Sequence, residues 1–139
     1  MVTKVTGVVS DKGEYDVLGY LLNNYPITFI STQASADTTV TVYTVPSGKK
    51  AYVLSAYVYA QHYTTVTNKR CRAQLRVYDP DGNIVFILAV HAFVNDSNAI
   101  PHFVTFEHFN GIIKLDSGYS IKLYTEGNDG SSTVALIET

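Results

Sequence analysis

The chain has 139 residues, of which 46% are hydrophobic and 16% charged, with a formal net charge of -2. This length suits one domain with one core, and this composition excludes a disordered chain. The small negative charge argues against a nucleic-acid surface, which needs clustered Lys and Arg. The single cysteine, Cys71, excludes an intramolecular disulfide, and its place in a strand pattern predicts a small buried hydrophobe.

Neither a secretory signal nor a membrane span is predicted. The N-terminal sequence Met-Val-Thr-Lys-Val-Thr-Gly lacks the apolar region of a signal peptide. No stretch approaches the roughly 18 apolar residues that a membrane helix needs. We therefore expect a protein that is made in a cytoplasm and does not insert into a membrane.

Residues 1–37 have a less regular pattern than the rest of the chain. Residues 15–22 are apolar, the run Asn-Asn-Tyr-Pro at 23–26 interrupts them, and residues 27–31 have strand-like composition. This pattern predicts an N-terminal arm or a first strand, followed by a β-sandwich domain over residues 38–139.

From residue 38 onward the hydrophobic pattern has the period of two that is typical of β-strands. Residues 39–45 and 50–60 are predicted strands, separated by a turn at Pro46-Ser-Gly48. Residues 70–78 alternate most clearly. Cys71, Ala73, Leu75 and Val77 are predicted to point inward, and Arg70, Arg72, Gln74 and Arg76 outward.

Residues 84–94 form a predicted strand that is apolar on both faces. It follows the hairpin turn Asp79-Pro-Asp-Gly-Asn83, since Asp-Gly suits a tight turn between paired strands. Strict alternation would place Ile84, Phe86, Leu88 and Val90 on one face and Val85, Ile87, Ala89 and Phe93 on the other. One face would fill the core, and the other would leave an apolar patch that a soluble monomer rarely tolerates. We therefore expect a homo-oligomer in the form of a closed ring such as a trimer, with residues 15–22 as the competing cover of this patch.

Further strands are predicted at 103–109, 112–115, 119–125 and 132–137, with turns at Asn110-Gly111, Asp116-Ser-Gly118 and 126–130. No amphipathic helix of useful length is predicted. About eight strands at spacings near ten residues are typical of an all-β antiparallel β-sandwich or barrel.

No catalytic or cofactor-binding motif survives inspection, so we expect no enzyme activity, no cofactor and no metal. Ser47-Gly-Lys-Lys50 lacks the upstream glycine and the helix of a phosphate-binding loop. Asp79 to Asn83 begins like a calcium loop, but apolar residues follow where a bidentate Glu is required. The histidines His62, His91, His102 and His108 lack the spacing of a known metal motif, and a cupin-like metal enzyme is the lowest-ranked alternative.

Two sets of side chains are candidates for binding. The predicted interface consists of Val85, Ile87, Phe93, Tyr57 and Tyr59, because apolar strand faces and tyrosines suit contact surfaces. The alternative function is a carbohydrate- or receptor-binding module whose edge is formed by loops 61–69, 95–102 and 126–131. The candidate ligand-contacting residues on that edge are His62, Tyr63 and His102.

Three segments resemble small single jelly-roll subunits of virus and phage particles, such as head-decoration, turret, minor capsid or tail-tip proteins. They are Thr44-Val-Pro-Ser-Gly-Lys-Lys-Ala-Tyr-Val53, Leu75-Arg-Val-Tyr-Asp-Pro-Asp-Gly-Asn83 and Ile113-Lys-Leu-Asp-Ser-Gly-Tyr-Ser-Ile-Lys-Leu123. The resemblance covers residues 38–139 and implies a jelly-roll β-sandwich that acts as a non-enzymatic virion subunit. Implied partners are further copies and other virion or shell proteins, with a glycan as an additional candidate. The implied location is a virion assembled in the host cytoplasm.

Overall fold

The computed structural model describes residues 8–9, 15–61, 70–95, 101–107, 109–127 and 129–139. In this part of the chain there are eleven strands and one helix. Their bounds are β1 Val8–Val9, β2 Tyr15–Asp16, α1 Val17–Asn24, β3 Ile27–Ala34, β4 Thr39–Thr44, β5 Ala51–Gln61, β6 Arg70–Tyr78, β7 Ile84–Asn95, β8 Pro101–Glu107, β9 Phe109–Leu115, β10 Ser120–Glu126 and β11 Asp129–Glu138. The helix is too short and insufficiently apolar to cross a membrane, and no other helix is described.

Nine of the strands form two antiparallel sheets that pack face to face. The front sheet has the order β4-β10-β6-β7-β8, and the back sheet has the order β3-β11-β5-β9. Four nested pairs, β3 with β11, β4 with β10, β5 with β9 and β6 with β7, alternate between the sheets. This winding is that of a jelly roll, so the predicted antiparallel β-sandwich of jelly-roll type is confirmed. β8 is an additional strand at the edge of the front sheet.

The first strand of the jelly roll lies before residue 38. β3 pairs with the last strand, β11, along eight residues from Ile27 to Ala34. Such pairing satisfies the backbone groups of β3 that face β11 and makes β3 an edge strand of the back sheet. The predicted boundary between residues 37 and 38 therefore falls inside the jelly roll, between its first two strands. Among the described residues, the segment before β3 forms the ribbon of β1 and β2 and the helix α1.

β6 has the alternation that its sequence predicts. Leu75 is 0% exposed and Val77 is 1% exposed, whereas Arg72 and Arg76 are half-buried on the outer face. Gln74 departs from the prediction, because it lies on the outer face but is only 8% exposed. The Arg76 guanidinium donates to the Gln74 Oε1 from Nε at 2.8 Å and from Nη2 at 2.5 Å and covers it.

β7 does not alternate in the way that its sequence predicts. Its register with β6 shifts twice, between the partners of Leu75 and Arg76 and between those of Val77 and Tyr78. Each shift inserts an unpaired residue into β7, first Val85 and then Leu88. Because a β-bulge reverses the faces of the residues beyond it, Leu88 and Ala89 are both buried although they are consecutive. The prediction that alternate residues of β7 share one face throughout the strand is therefore wrong.

The turn between β6 and β7 forms as predicted. The Asp79 carboxylate accepts the Asn83 backbone N–H at 2.8 Å, and Gly82 has a φ of 89°, which glycine adopts without steric cost. The hydrogen bonds from Asn83 lower the pKa of Asp79. The Asp79 carboxylate therefore stabilises the hairpin turn.

Candidate interaction surface

The crossover from β8 to β9 leaves both sheets partly open at one side of the sandwich. β8 pairs with β7 only from Val90 to Asn95, and β9 pairs with β5 only from Ala51 to Ala56. Among the described residues, 84–89 of β7 and 57–61 of β5 therefore have no strand on that side. Such edges present backbone N–H and C=O groups that require another partner.

The open edge of β5 is closed by a side chain. The backbone N–H of Ala60 donates to the Nδ1 of His91 at 2.8 Å, across the gap between the two sheets. The imidazole is 5% exposed and lies 5.1 Å from the Tyr59 ring, measured between centroids. Burial lowers the pKa of His91, since a charged imidazole is poorly solvated there. His91 is therefore buried, and its neutral form links the two sheets at this edge.

The open edge of β7 is apolar on both sides of the strand. Its first four residues form a surface that we call the edge patch; Ile84 is 49%, Val85 49%, Phe86 45% and Ile87 44% exposed. The segment 84–89 has the sequence Ile-Val-Phe-Ile-Leu-Ala and contains no charge and no proline. Natural edge strands are usually protected by such residues, so this edge lacks the common protection against pairing with another strand.

Aromatic contacts connect the edge patch to β9, the edge strand of the back sheet. The Phe86 and Phe109 rings meet edge to face, with centroids 6.4 Å apart. The Phe109 ring lies against Gly111, where a Cβ would stand 3.1 Å from its nearest carbon, so glycine permits this position. Ile112 on β9 is a further exposed apolar residue, at 41%.

Charged and aromatic side chains border the edge patch on the outer face of the front sheet. The Arg76 guanidinium lies 3.7 Å from the centroid of the Tyr124 ring, and Arg76 is the register partner of Ile87. Next to them, Arg72 forms a 2.6 Å ion pair with Glu126. The Arg76 and Arg72 side chains on this face are thus stacked on an aromatic ring and ion-paired, respectively.

The predicted interface residues lie on separate surfaces. Val85 and Ile87 belong to the edge patch, whereas Tyr57 and Tyr59 project from the back sheet and are 43% and 41% exposed. Phe93 pairs with Phe103 in the β7–β8 ladder, but its side chain lies outside the described part of the structure.

Most of the predicted ligand edge cannot be compared with the structure. His62 and Tyr63 lie outside the described residues, and His102 has a described position in β8 but no described side chain. Among the described residues, no group of three His, Cys, Asp or Glu is placed to hold a metal ion. The catalytic and cofactor predictions stay predictions.

A polar hollow on the back sheet was not predicted from the sequence. It has a volume of about 390 Å³ and is lined by Ser31, Thr32, Gln33, Tyr57, Ser132 and Thr133. The hydroxyls of Ser31 and Thr133 are hydrogen-bonded at 2.8 Å. The alternation of small polar residues on β3 and β11 could have indicated a polar outer face, but only the pairing of these strands with β5 places Tyr57 beside them.

No protein family and no curated protein matches the chain in sequence. Among solved structures, a similar chain is the nucleoplasmin-like N-terminal domain of Drosophila FKBP39, with 10% identity and a TM-score of 0.38. The alignment covers 81% of this chain and 90% of that one. At this identity and TM-score the likeness is too distant to bear on function.

Proposed function

We propose that the protein is a non-enzymatic structural subunit that acts by self-association. The observation that carries the proposal is the edge patch, where four consecutive large apolar residues are 44% to 49% exposed at an unpaired strand edge. Exposed apolar patches beside open strand edges favour association with another chain. The particle that we propose for it is a virus or virus-like particle, as a capsid, decoration or turret component. That assignment is supported by the resemblance of residues 38–139 to small jelly-roll virion proteins.

The size of the edge patch allows reversible association. Complete burial of an Ile, Val or Phe side chain contributes about 1.5–3 kcal/mol, so burying the remaining half contributes about 1 kcal/mol each. Two copies that meet through this surface would gain about 8 kcal/mol from eight side chains, against an association cost of about 4–15 kcal/mol. Side-chain burial alone therefore gives weak pairing, and stable assembly requires backbone hydrogen bonds or additional surfaces.

Light scattering and sedimentation over a range of micromolar concentrations test this proposal. We expect the unmodified protein to form an oligomer, and Ile87→Asp to dissociate it while the far-ultraviolet β-spectrum is retained. Ile27→Asp is the matched control, because Ile27 is 42% exposed and lies on β3 at the opposite side of the sandwich. A monomeric unmodified protein at high micromolar concentration would contradict the proposal.

A carbohydrate- or receptor-binding module is a second candidate, and the polar hollow favours it. Hydroxyl and amide groups from Ser31, Gln33 and Thr133 stand beside the half-exposed ring of Tyr57. Precisely placed polar groups beside an aromatic ring are typical of ligand sites. A glycan array followed by titration of any hit tests this candidate, and Tyr57→Ala should remove the binding while Tyr52→Ala, in the same strand, leaves it unchanged.

A further inference from the structure

We propose that the open edge of β7 pairs with the same edge of a second copy, antiparallel about a two-fold axis, so that two front sheets join into one. This inference rests on the self-association proposed above and names its partner and geometry. The occupant is a strand, because the edge consists of one strand's backbone with no described neighbour from residue 84 to residue 89.

The bounds of the open edge determine where the second strand can lie. The hairpin turn 79–83 ends it on one side, and β8 begins to pair at Val90 on the other. The space between them accommodates four to six residues, which is the common length of a strand. A two-fold axis near Val85 and Phe86 would place each edge patch opposite the other and keep the turn of one copy clear of β8 of its partner.

The composition of the edge patch suits a second copy in particular. An isologous interface places the same surface patch on both subunits, so a patch with charge of one sign would repel itself. Residues 84–89 carry no charge, and like-charge conflict is therefore absent along the paired segment. With the two-fold axis near Val85 and Phe86, Ile87 of each copy would lie beside Ile84 of the other copy on the outer face. Arg76 and Tyr78 of β6 would flank this pair.

Among the described residues, no second strand edge on this side has an uncharged and uninterrupted apolar sequence. The unpaired edge of β5 is closed at Ala60 by His91, which occupies the position where a further strand would donate or accept. The described strand edges that remain open there are thus those of β8, of β9 and of residues 84–89. β8 contains Pro101 and Glu107 and β9 contains Lys114, whereas residues 84–89 have an uninterrupted apolar sequence. Pairing through β7 would also bring Phe109 and Ile112 of β9 close to the partner's back sheet.

Site-directed cross-linking tests the two-fold geometry. Cys71 is fully buried, so the unmodified protein is the background control. A single Val85→Cys substitution places two thiols close to the axis, and we expect a reducible dimer under mild oxidation. Ile27→Cys, at similar exposure on the opposite edge, should remain unlinked. A Val85→Cys protein that associates without cross-linking would overturn the two-fold arrangement.

A lysine substitution and amide hydrogen exchange provide a second and a third test of the two-fold geometry. Val85→Lys should weaken association by at least about 100-fold, because two ammonium groups would meet near the axis, while Ile27→Lys should not. Amide hydrogen exchange over residues 84–89 should slow as protein concentration rises, and exchange over 57–61 should not. An oligomer that is indifferent to Val85→Lys, or that protects other amides, overturns this inference but leaves self-association standing, whereas a monomeric unmodified protein removes both.

Discussion

Two incompletely paired strands at one side of this sandwich, β5 and β7, illustrate two ways of treating unpaired backbone. Along 57–61 of β5, the His91 side chain accepts the N–H of Ala60 and is itself buried. Along 84–89 of β7, no described side chain performs this function, and the side chains themselves are exposed and apolar. The first edge therefore has a partner within the subunit, and the exposed apolar side chains of the second support the proposal that it pairs with another copy.

Leu75→Ala should produce the largest loss of stability, because this residue lies between the sheets beneath both edges and is 0% exposed. Removal of a fully buried leucine side chain costs about 2–5 kcal/mol, which combines lost transfer free energy with a cavity. Urea denaturation monitored by circular dichroism measures it. A loss below 1 kcal/mol would mean that the sheets close over the cavity, and both edges would then be free to move.

Replacement of His91 should destabilise the subunit by a smaller amount. In His91→Leu the Ala60 N–H loses its acceptor, and leaving a buried donor unsatisfied costs about 1–3 kcal/mol. His91→Asn, which retains an acceptor oxygen near the position of Nδ1, should lose less. The same denaturation experiment compares the two variants, and equal losses would argue against the hydrogen bond as the element that closes the β5 edge.

The same histidine should make stability depend on pH. Burial lowers the pKa of His91 in the folded state below its usual value near 6.5, so the unfolded state binds the proton more readily. The contribution of neutral His91 is therefore fully present above about pH 6.5 and is lost as the pH falls through the folded-state pKa. Denaturation midpoints measured from pH 7.5 to 5 should fall in the unmodified protein and fall less in His91→Leu. Parallel profiles would exclude His91 as the titrating group.

Val85→Thr should have the smallest effect on stability. Val85 is 49% exposed at a bulge, and threonine keeps the β-branched shape that strands favour. We expect the free energy of unfolding of the monomer to change by less than about 0.5 kcal/mol, as is usual for surface positions. Sedimentation of the same variant should show weaker association, since the added hydroxyl reduces the apolar area. A large loss of stability would place Val85 in the core of the subunit.

Local patterns in the sequence predicted most of the strands and the hairpin turn between β6 and β7. β6 alternates regularly because it pairs with β10 without a register shift and the unpaired residues opposite it lie on β7, so Leu75 and Val77 are inside and Arg72 and Arg76 outside. β7 was predicted as a strand, but its faces were not. Two bulges relative to β6 reverse its alternation, and nothing in an uninterrupted apolar run marks the position of a bulge.

The sequence by itself determined the all-β class, the turns and the presence of a strand too apolar for one core to cover. These are consequences of period-two patterning and of turn residues, which act over a few neighbouring positions. The tertiary structure decided where β8 stops, which residues of β7 remain exposed, and that His91 reaches Ala60, which is 31 residues away in the chain. Such features depend on how distant strands pair and cross between sheets, and contacts between residues far apart in the chain leave no periodic signal in the sequence.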